Sequence, residues 1–338
     1  GPELAAWIEV GINAEYGSSL DETAASILWD VLKIDIPNQT CEVGAQGDGR
    51  YFILGGTAAV FQGLVSGIGL SGNIHLQHEL RAISQTPTGD YHVTFDSPNG
   101  QVVRQFPKVV VAIPLPVLAN PERPVAIAPR LLNKNVEAAM KETKYGRNQK
   151  LFLAYDKKFW DFDDLFIEGS CIWDQMDLEQ TWGRVSRSWQ GSLWRTMDGL
   201  LGREVVPPLH GLTVYVGGNN IERLKDTEAY IAYIHSVFQR MYPDVDVQAA
   251  FKGYHVGNAY HDSPFQLGSY AGYNPAGKSN KDMHWEALKP VLQGKGLVFA
   301  GSSWTMDTEE DKVVRGFMEG AVRSGKLAAE ALRHASNL

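Results

Sequence analysis

Two glycines one helical turn apart, Gly316 and Gly320, open the last amphipathic stretch of the chain, which runs from Arg315 through Met318, Ala321, Val322, Gly325, Ala328, Ala329 and Leu332. A helix that starts this way offers unsatisfied N–H groups and the positive end of its dipole, and its bare backbone lets a flat or anionic group come close. The chemistry on offer is stabilisation of negative charge on a bound planar group. The same spacing also suits a surface helix packed on a sheet through small residues. Lys150 is the second candidate. It enters the apolar run Leu151-Phe152-Leu153-Ala154-Tyr155, where an ammonium group is costly unless it is hydrogen-bonded, so it could carry a proton; it could equally snorkel at a strand end.

The elements around these residues follow from periodicity. Leu297 to Ala300 is a short apolar strand ended by Gly301, so strand, loop and helix follow one another at the C-terminal end. The loop between them, Trp304 to Lys312, carries four acids among nine residues and reads as solvated, with Trp304 lining the site. Upstream, residues 3–35 read as helical, with Ser19 and Glu22 spaced as a capping box, and residues 35–50 as a polar connection. Tyr51 to Leu54 leads into Gly55-Gly56, and Thr57 to Val65 is helical. Gly67-Ile68-Gly69-Leu70-Ser71-Gly72 spells a dinucleotide fingerprint, but it follows a helix and precedes an alternating strand at Asn73 to Gln77, the reverse of what phosphate binding needs. It reads as a helix-ending turn.

Residues 73–112 alternate as three strands of a meander, and Val109 to Ile113 is continuous apolar, as a strand buried on both faces would be. Leu131 to Lys144 is helical, Leu151 to Tyr155 and Leu212 to Gly218 are strands, and Thr227 to Met241 is a helix. Between them, residues 157–200 are dense in aromatics, which suits the wall of an apolar ligand site as well as a plain core.

The bulk numbers exclude several classes. With 338 residues, 44% hydrophobic and 21% charged, the chain is globular and long enough for one large or two ordinary domains. A net charge of −8 argues against nucleic acid or an anionic membrane as partner. Two cysteines, Cys41 and Cys171, are too few for a disulfide framework and are not spaced for a metal. No run of about 18 apolar residues exists to span a bilayer, so a soluble protein is expected. Hydrolase motifs of the GxSxG and HExxH types are absent.

The stretch FAG, a loop, then GFMEGAVRSGKLAA resembles the closing motif of the flavin-dependent amine oxidase family, which includes monoamine, polyamine and L-amino-acid oxidases. The block from Gly55-Gly56 through a helix and a hairpin to VVVAIPLPVL also matches that family, as does TKYGRNQKLFLAYDKKFW around Lys150. The resemblance implies FAD as cofactor, contacted by Gly55, Gly56, Leu80 near the adenine, Tyr260 beside the flavin, Gly301, Ser302, Gly316, Phe317 and Met318. It gives Lys150 a place against flavin N5 through a water. Tyr270 in LGSYAGYNPAG and Phe317 become two rings of a slit that admits a deprotonated amine and excludes water, with Trp304 as a further substrate contact. Phe317 stands where a tyrosine is usual. Ser269 stands where monoamine oxidases carry the cysteine linked to FAD, so the resemblance implies a non-covalent flavin.

In that family an N-terminal strand, GxGxxG and helix grip the adenosine half of FAD, and this sequence has none of them. The resemblance therefore implies a partner, an N-terminal FAD-binding chain or fragment, and an apolar sheet edge left for it to cover. The expected fold is α/β (α+β), with two discontinuous domains: an incomplete Rossmann-like FAD-binding domain (46–125 and 256–338) and a mixed-sheet and helix substrate domain (3–45 and 126–255). The expected reaction oxidises a small amine or L-amino acid to an imine while oxygen becomes hydrogen peroxide. The alternative is a non-catalytic interaction subunit that uses an aromatic groove.

Overall fold

The computed structural model of the chain describes residues 9, 12–13, 16–25, 32–35, 40–43, 57–157, 159, 171–172, 182–183, 210–269, 271–273, 275–277, 287–289, 292–293, 295–304 and 316–335. In chain order the elements begin with strands β1 (Leu32–Asp35) and β2 (Thr40–Val43), helix α1 (Ala58–Gly67), and strands β3 (Glu79–Gln85), β4 (Tyr91–Ser97), β5 (Gly100–Phe106) and β6 (Val109–Val111). Helix α2 (Leu115–Leu118), strand β7 (Ala126–Ile127), helix α3 (Lys134–Glu142) and strands β8 (Lys144–Tyr145) and β9 (Asn148–Tyr155) follow. Next come β10 (Cys171–Ile172), β11 (Trp182–Gly183), β12 (His210–Gly217), helices α4 (Thr227–Met241) and α5 (Val247–Ala250), and β13 (Phe251–Val256). The last elements are β14 (Ala271–Tyr273), β15 (Leu292–Gln293), β16 (Leu297–Phe299) and helix α6 (Met318–His334). The chain is thus mixed α/β, as expected. It divides into two compact units, each made of separated pieces: Gly1–Leu20, Leu28–Ile74 and Arg147–Ala259 in the first, and Asp21–Ile27, His75–Gly146 and Tyr260–Leu338 in the second.

In the first unit β9 is the middle strand of an antiparallel sheet ordered β12-β9-β13. Its alternation explains the choice of face: Leu151, Leu153 and Tyr155 are buried, while Lys150 and Phe152, on the other side, are half-buried. Helix α4 covers the buried face with Tyr230, Ile231, Ile234, Val237 and Phe238, and its N-terminus is capped by Asp226, whose carboxylate accepts the Ala229 N–H at 3.1 Å. Helix α1 differs: among its residues none is buried, and Phe61 is 65% exposed. The fingerprint-like glycines fall where the sequence placed them, at the end of α1, with Gly69 at φ 67° and only a 3₁₀ turn at Ser71–Asn73 beyond. Two expectations fail here. Leu32–Asp35 is a strand, paired antiparallel with Thr40–Val43, instead of the end of a helix followed by a connection. The sequence Leu32-Lys33-Ile34-Asp35 alternates apolar with charged, so period 2 fits it as well as period 3.6 does.

In the second unit, Asp21 to Ala24 forms no helix; Thr23 bridges to Pro275, and Glu22 accepts the Ala276 N–H through its carbonyl at 2.9 Å. The meander is a four-stranded sheet ordered β5-β4-β3-β7. It starts at Glu79 instead of Asn73, because Gln77 turns into the left-handed region at φ 59° and ends any extended run before it. A second sheet, ordered β15-β16-β6, pairs β16 in parallel with β6. The expectation for Val109 to Ile113 is corrected. Only Val109–Val111 is strand, it lies at the sheet edge, and Val110 is 46% exposed while Val111 is buried. Leu115, Leu118, Leu131, Val136, Met140, Phe299 and Trp304 close the core beneath both sheets.

Candidate functional site

The site is built on the turn between β16 and α6. Strand β16 is fully buried and runs into Ala300 and Gly301, where φ of +136° takes the chain out of the extended region. Trp304 turns back and stacks on Phe299, with ring centroids 4.9 Å apart and planes 15° apart, which contributes about 0.5–1.5 kcal/mol beyond burial. Trp304 is 1% exposed, so it forms the floor of the turn; its buried indole N–H has no acceptor among the described residues. The helix end of the turn is tied to this loop through the Gly316 N–H, which donates to the Ser302 carbonyl at 3.0 Å.

Phe317 occupies the N-cap position of α6 with extended backbone (φ −99°, ψ 162°) and supplies no side-chain cap. The first-turn amides of an α-helix have no partner within the helix, so this turn keeps its donors and the positive dipole end available. Phe317 is 58% exposed, and Met318 and Val322 beside it are also exposed, while Gly320 is buried. An apolar, aromatic surface therefore stands next to uncapped amides. Glu319 is paired along the helix with Arg323 at 2.9 Å. Ser324 carries no distinguishing signal in the sequence. From the second turn of α6 this buried hydroxyl accepts the Gly301 N–H at 2.8 Å and donates to the Gly301 carbonyl at 2.9 Å, fixing the loop to the helix.

Within the second unit the structure brings Gly301, Ser302, Trp304, Gly316, Phe317 and Met318 together on this loop and helix start. Leu80 lies apart, on β3, half-buried and packed against the core. Charged residues flank it: Arg81 bonds Asp96 at 2.6 Å and Glu79 at 3.0 Å, and Arg123 also pairs with Glu79. The Arg81 hydrogen bond holds the Asp96 carboxyl below the usual carboxylate range. Tyr260 is exposed, and its carbonyl accepts the Gly268 N–H at 3.2 Å. Lys150 lies in the first unit on β9, opposite Tyr215 of β12, half-buried, with its carbonyl accepting the Gly257 N–H at 2.8 Å. Gly55, Gly56 and Tyr270 lie outside the described residues. Among the described residues no cluster of His, Cys, Asp and Glu could hold a metal ion, and no helix is long and apolar enough to cross a membrane.

Residues 36–333 match the family model for flavin containing amine oxidoreductases, so the chain belongs to that family. The peroxisomal N(1)-acetyl-spermine/spermidine oxidase of Bos taurus is 28% identical over 206 residues, 58% of this chain and 37% of that protein. The chain thus spans well under half the length of this relative. Its fold resembles that of cyclohexylamine oxidase from Brevibacterium oxydans IH-35A, with a TM-score of 0.66 at 17% identity, covering 100% of this chain and 66% of that one. Membership of the family implies FAD as cofactor. The uncapped start of α6 fits such a group: its amides are donors for an acceptor-rich ring edge, and Phe317 offers an apolar surface beside them.

Proposed function

We propose that this chain forms the substrate-binding and C-terminal flavin-contacting part of an FAD-dependent oxidase that acts on a small amine or an L-amino acid. The observation that carries this reading is the uncapped N-terminus of α6 with exposed Phe317 in front of it, in a chain of the amine oxidoreductase family. In the reaction the substrate loses a hydride from the carbon next to nitrogen and a proton from nitrogen, giving an imine that water hydrolyses to a carbonyl compound and ammonia. The two electrons and two protons reduce oxygen to hydrogen peroxide. FAD, when bound, supplies the two-electron acceptor between them.

The chain's own residues would do four things. The α6 amides and dipole favour negative charge at the ring edge they face. Phe317, with Tyr270, forms a slit that orients the amine and sheds water. Lys150 holds a proton, through a water, where oxygen is reduced. Gly55, Gly56, Leu80, Tyr260, Gly301, Ser302, Gly316 and Met318 bound the cofactor, and Trp304 supports the turn under the substrate. The cofactor is held without a covalent bond, since Ser269 has no thiol and its hydroxyl donates to the Gly146 carbonyl at 2.8 Å.

A nucleotide-binding segment outside these 338 residues completes the site in this proposal. Among the described residues two uncovered apolar features support it, one in each unit: the outer edge of β6 with Val110 exposed, and helix α1 with no buried residue. Apart from Gln62 and Ser66, α1 carries only apolar residues and glycine, and an exposed apolar surface of this kind is normally covered by protein. To test the function, the chain is co-produced with a polypeptide carrying a GxGxxG strand-and-helix unit, and the complex is mixed anaerobically with an amine and with the matching L-amino acid. The expected result is a yellow complex bleached by one of the two. A complex without flavin bands would contradict the proposal and favour a non-catalytic subunit.

A further inference from the structure

Two segments of the second unit that the proposed function uses, Tyr260–Ser269 and Gly301–Trp304, meet at one two-residue strand, β8. On one side the Tyr145 hydroxyl and the buried Ser303 hydroxyl are 2.6 Å apart, across 158 residues of sequence. On the other side the Gly146 carbonyl accepts two hydrogen bonds from Ser269, from its N–H at 2.7 Å and from its hydroxyl at 2.8 Å. Ala271 then pairs with Tyr145 in the β14–β8 ladder. The approach is close: a Cβ on Gly268, whose φ is +152°, would stand 2.3 Å from the Tyr145 Cβ. Leu267, just before it, is held in the left-handed region at φ 53°, a conformation that a leucine keeps only when its surroundings impose it.

We infer that Tyr145 is a positioning residue for the oxidation, joining the Tyr260–Ser269 segment to the Gly301–Trp304 loop so that the groups each contributes stay in register. This rests on the proposed function. The ring of Tyr145 is packed against the core and a phenylalanine would pack there too, so the hydroxyl is what the joint requires. Without it the buried Ser303 hydroxyl loses this partner, and the loop carrying Gly301 and Ser302 loses its tie to the other segment. A misplacement of about 1 Å at such a distance from the chemistry is worth up to about 100-fold in rate.

The test uses the reconstituted holoenzyme with Tyr145→Phe, Ser303→Ala and the double variant. The expected result is retained flavin with an altered absorbance band shape, amine-driven reduction at saturating substrate slowed about tenfold in either single variant, and no further loss in the double variant. Hydrogen exchange is expected to quicken in both residues 260–269 and 301–304, with the β9 amides unchanged. Reduction at the wild-type rate, or losses that multiply in the double variant, would overturn the inference. Should the wild-type complex bind flavin but resist reduction by any amine, the functional reading falls and the positioning role in the oxidation with it. The exchange measurement still separates the two: unchanged exchange in both segments denies the joint itself.

Discussion

The hydroxyl of Ser324 meets Gly301 at both its amide nitrogen and its carbonyl oxygen, at 2.8 and 2.9 Å, so one buried side chain in the second turn of α6 holds the end of β16. Helix and strand are thereby fixed before any ligand arrives. Ser324→Ala leaves two backbone groups without that partner and should cost about 2–3 kcal/mol of stability. Chemical denaturation checks it; a loss below about 0.5 kcal/mol would mean that water replaces the hydroxyl freely.

Gly268→Ala tests the close approach at β8. The added methyl would meet the Tyr145 Cβ at 2.3 Å on a backbone at φ +152°, so both overlap and strain oppose it. The expected cost is about 3 kcal/mol or more, seen as a lower melting temperature or as failure to accumulate. Gly277→Ala is the control: it also has positive φ but meets nothing within 4 Å, so it should lose only the smaller conformational part.

A buried polar chain in the first unit sets a pH dependence. His235 Nδ1 lies 2.8 Å from Gln248 Oε1, which can only accept, so the nitrogen carries the proton; Nε2 then accepts from the Tyr155 hydroxyl at 3.1 Å. Burial pushes His235 below its ordinary value and the Tyr155 hydroxyl well above its own. With the folded pKa lowered, the unfolded chain binds the proton first as pH falls below about 6.5, so stability is full above that pH and declines through the interval down to the folded pKa. His235→Gln should flatten the fall of denaturation midpoints as pH drops below about 6.5, relative to wild type. An equal slope in both proteins would show that other groups dominate.

Lys150→Met separates the two half-reactions. If Lys150 serves oxygen reduction, anaerobic reduction by amine should change by less than about twofold while reoxidation slows about 100-fold, measured by stopped-flow absorbance. An unchanged reoxidation rate would remove its role.

Much of this arrangement was legible in the sequence, and the reason is local. Helix α4 was readable because its apolar period lies within one short stretch, and β16 with Gly301 because an apolar run ended by glycine is a local pattern. Val110 misled because a run of valines looks the same at an edge as in the middle of a sheet; the neighbours decide, and they come from elsewhere. Leu32–Asp35 failed because a four-residue alternation satisfies both periods. Tyr145 and Ser303 gave no signal at all. Their bond joins residues 158 apart, and periodicity carries no information at that separation.

Phe317→Asp tests whether the uncapped start of α6 is the flavin contact. An aspartate at the N-cap would accept the free first-turn amides with its own carboxylate, stabilising the helix by about 1 kcal/mol while filling the place meant for the ring edge and setting a negative charge beside it. Flavin affinity of the reconstituted complex, followed by fluorescence titration, is the measurement. The Phe317→Asp chain is expected to be at least as stable as wild type and to bind FAD at least about tenfold more weakly. A Phe317→Asp complex that binds FAD as tightly as wild type and is bleached by amine at the same rate would contradict it.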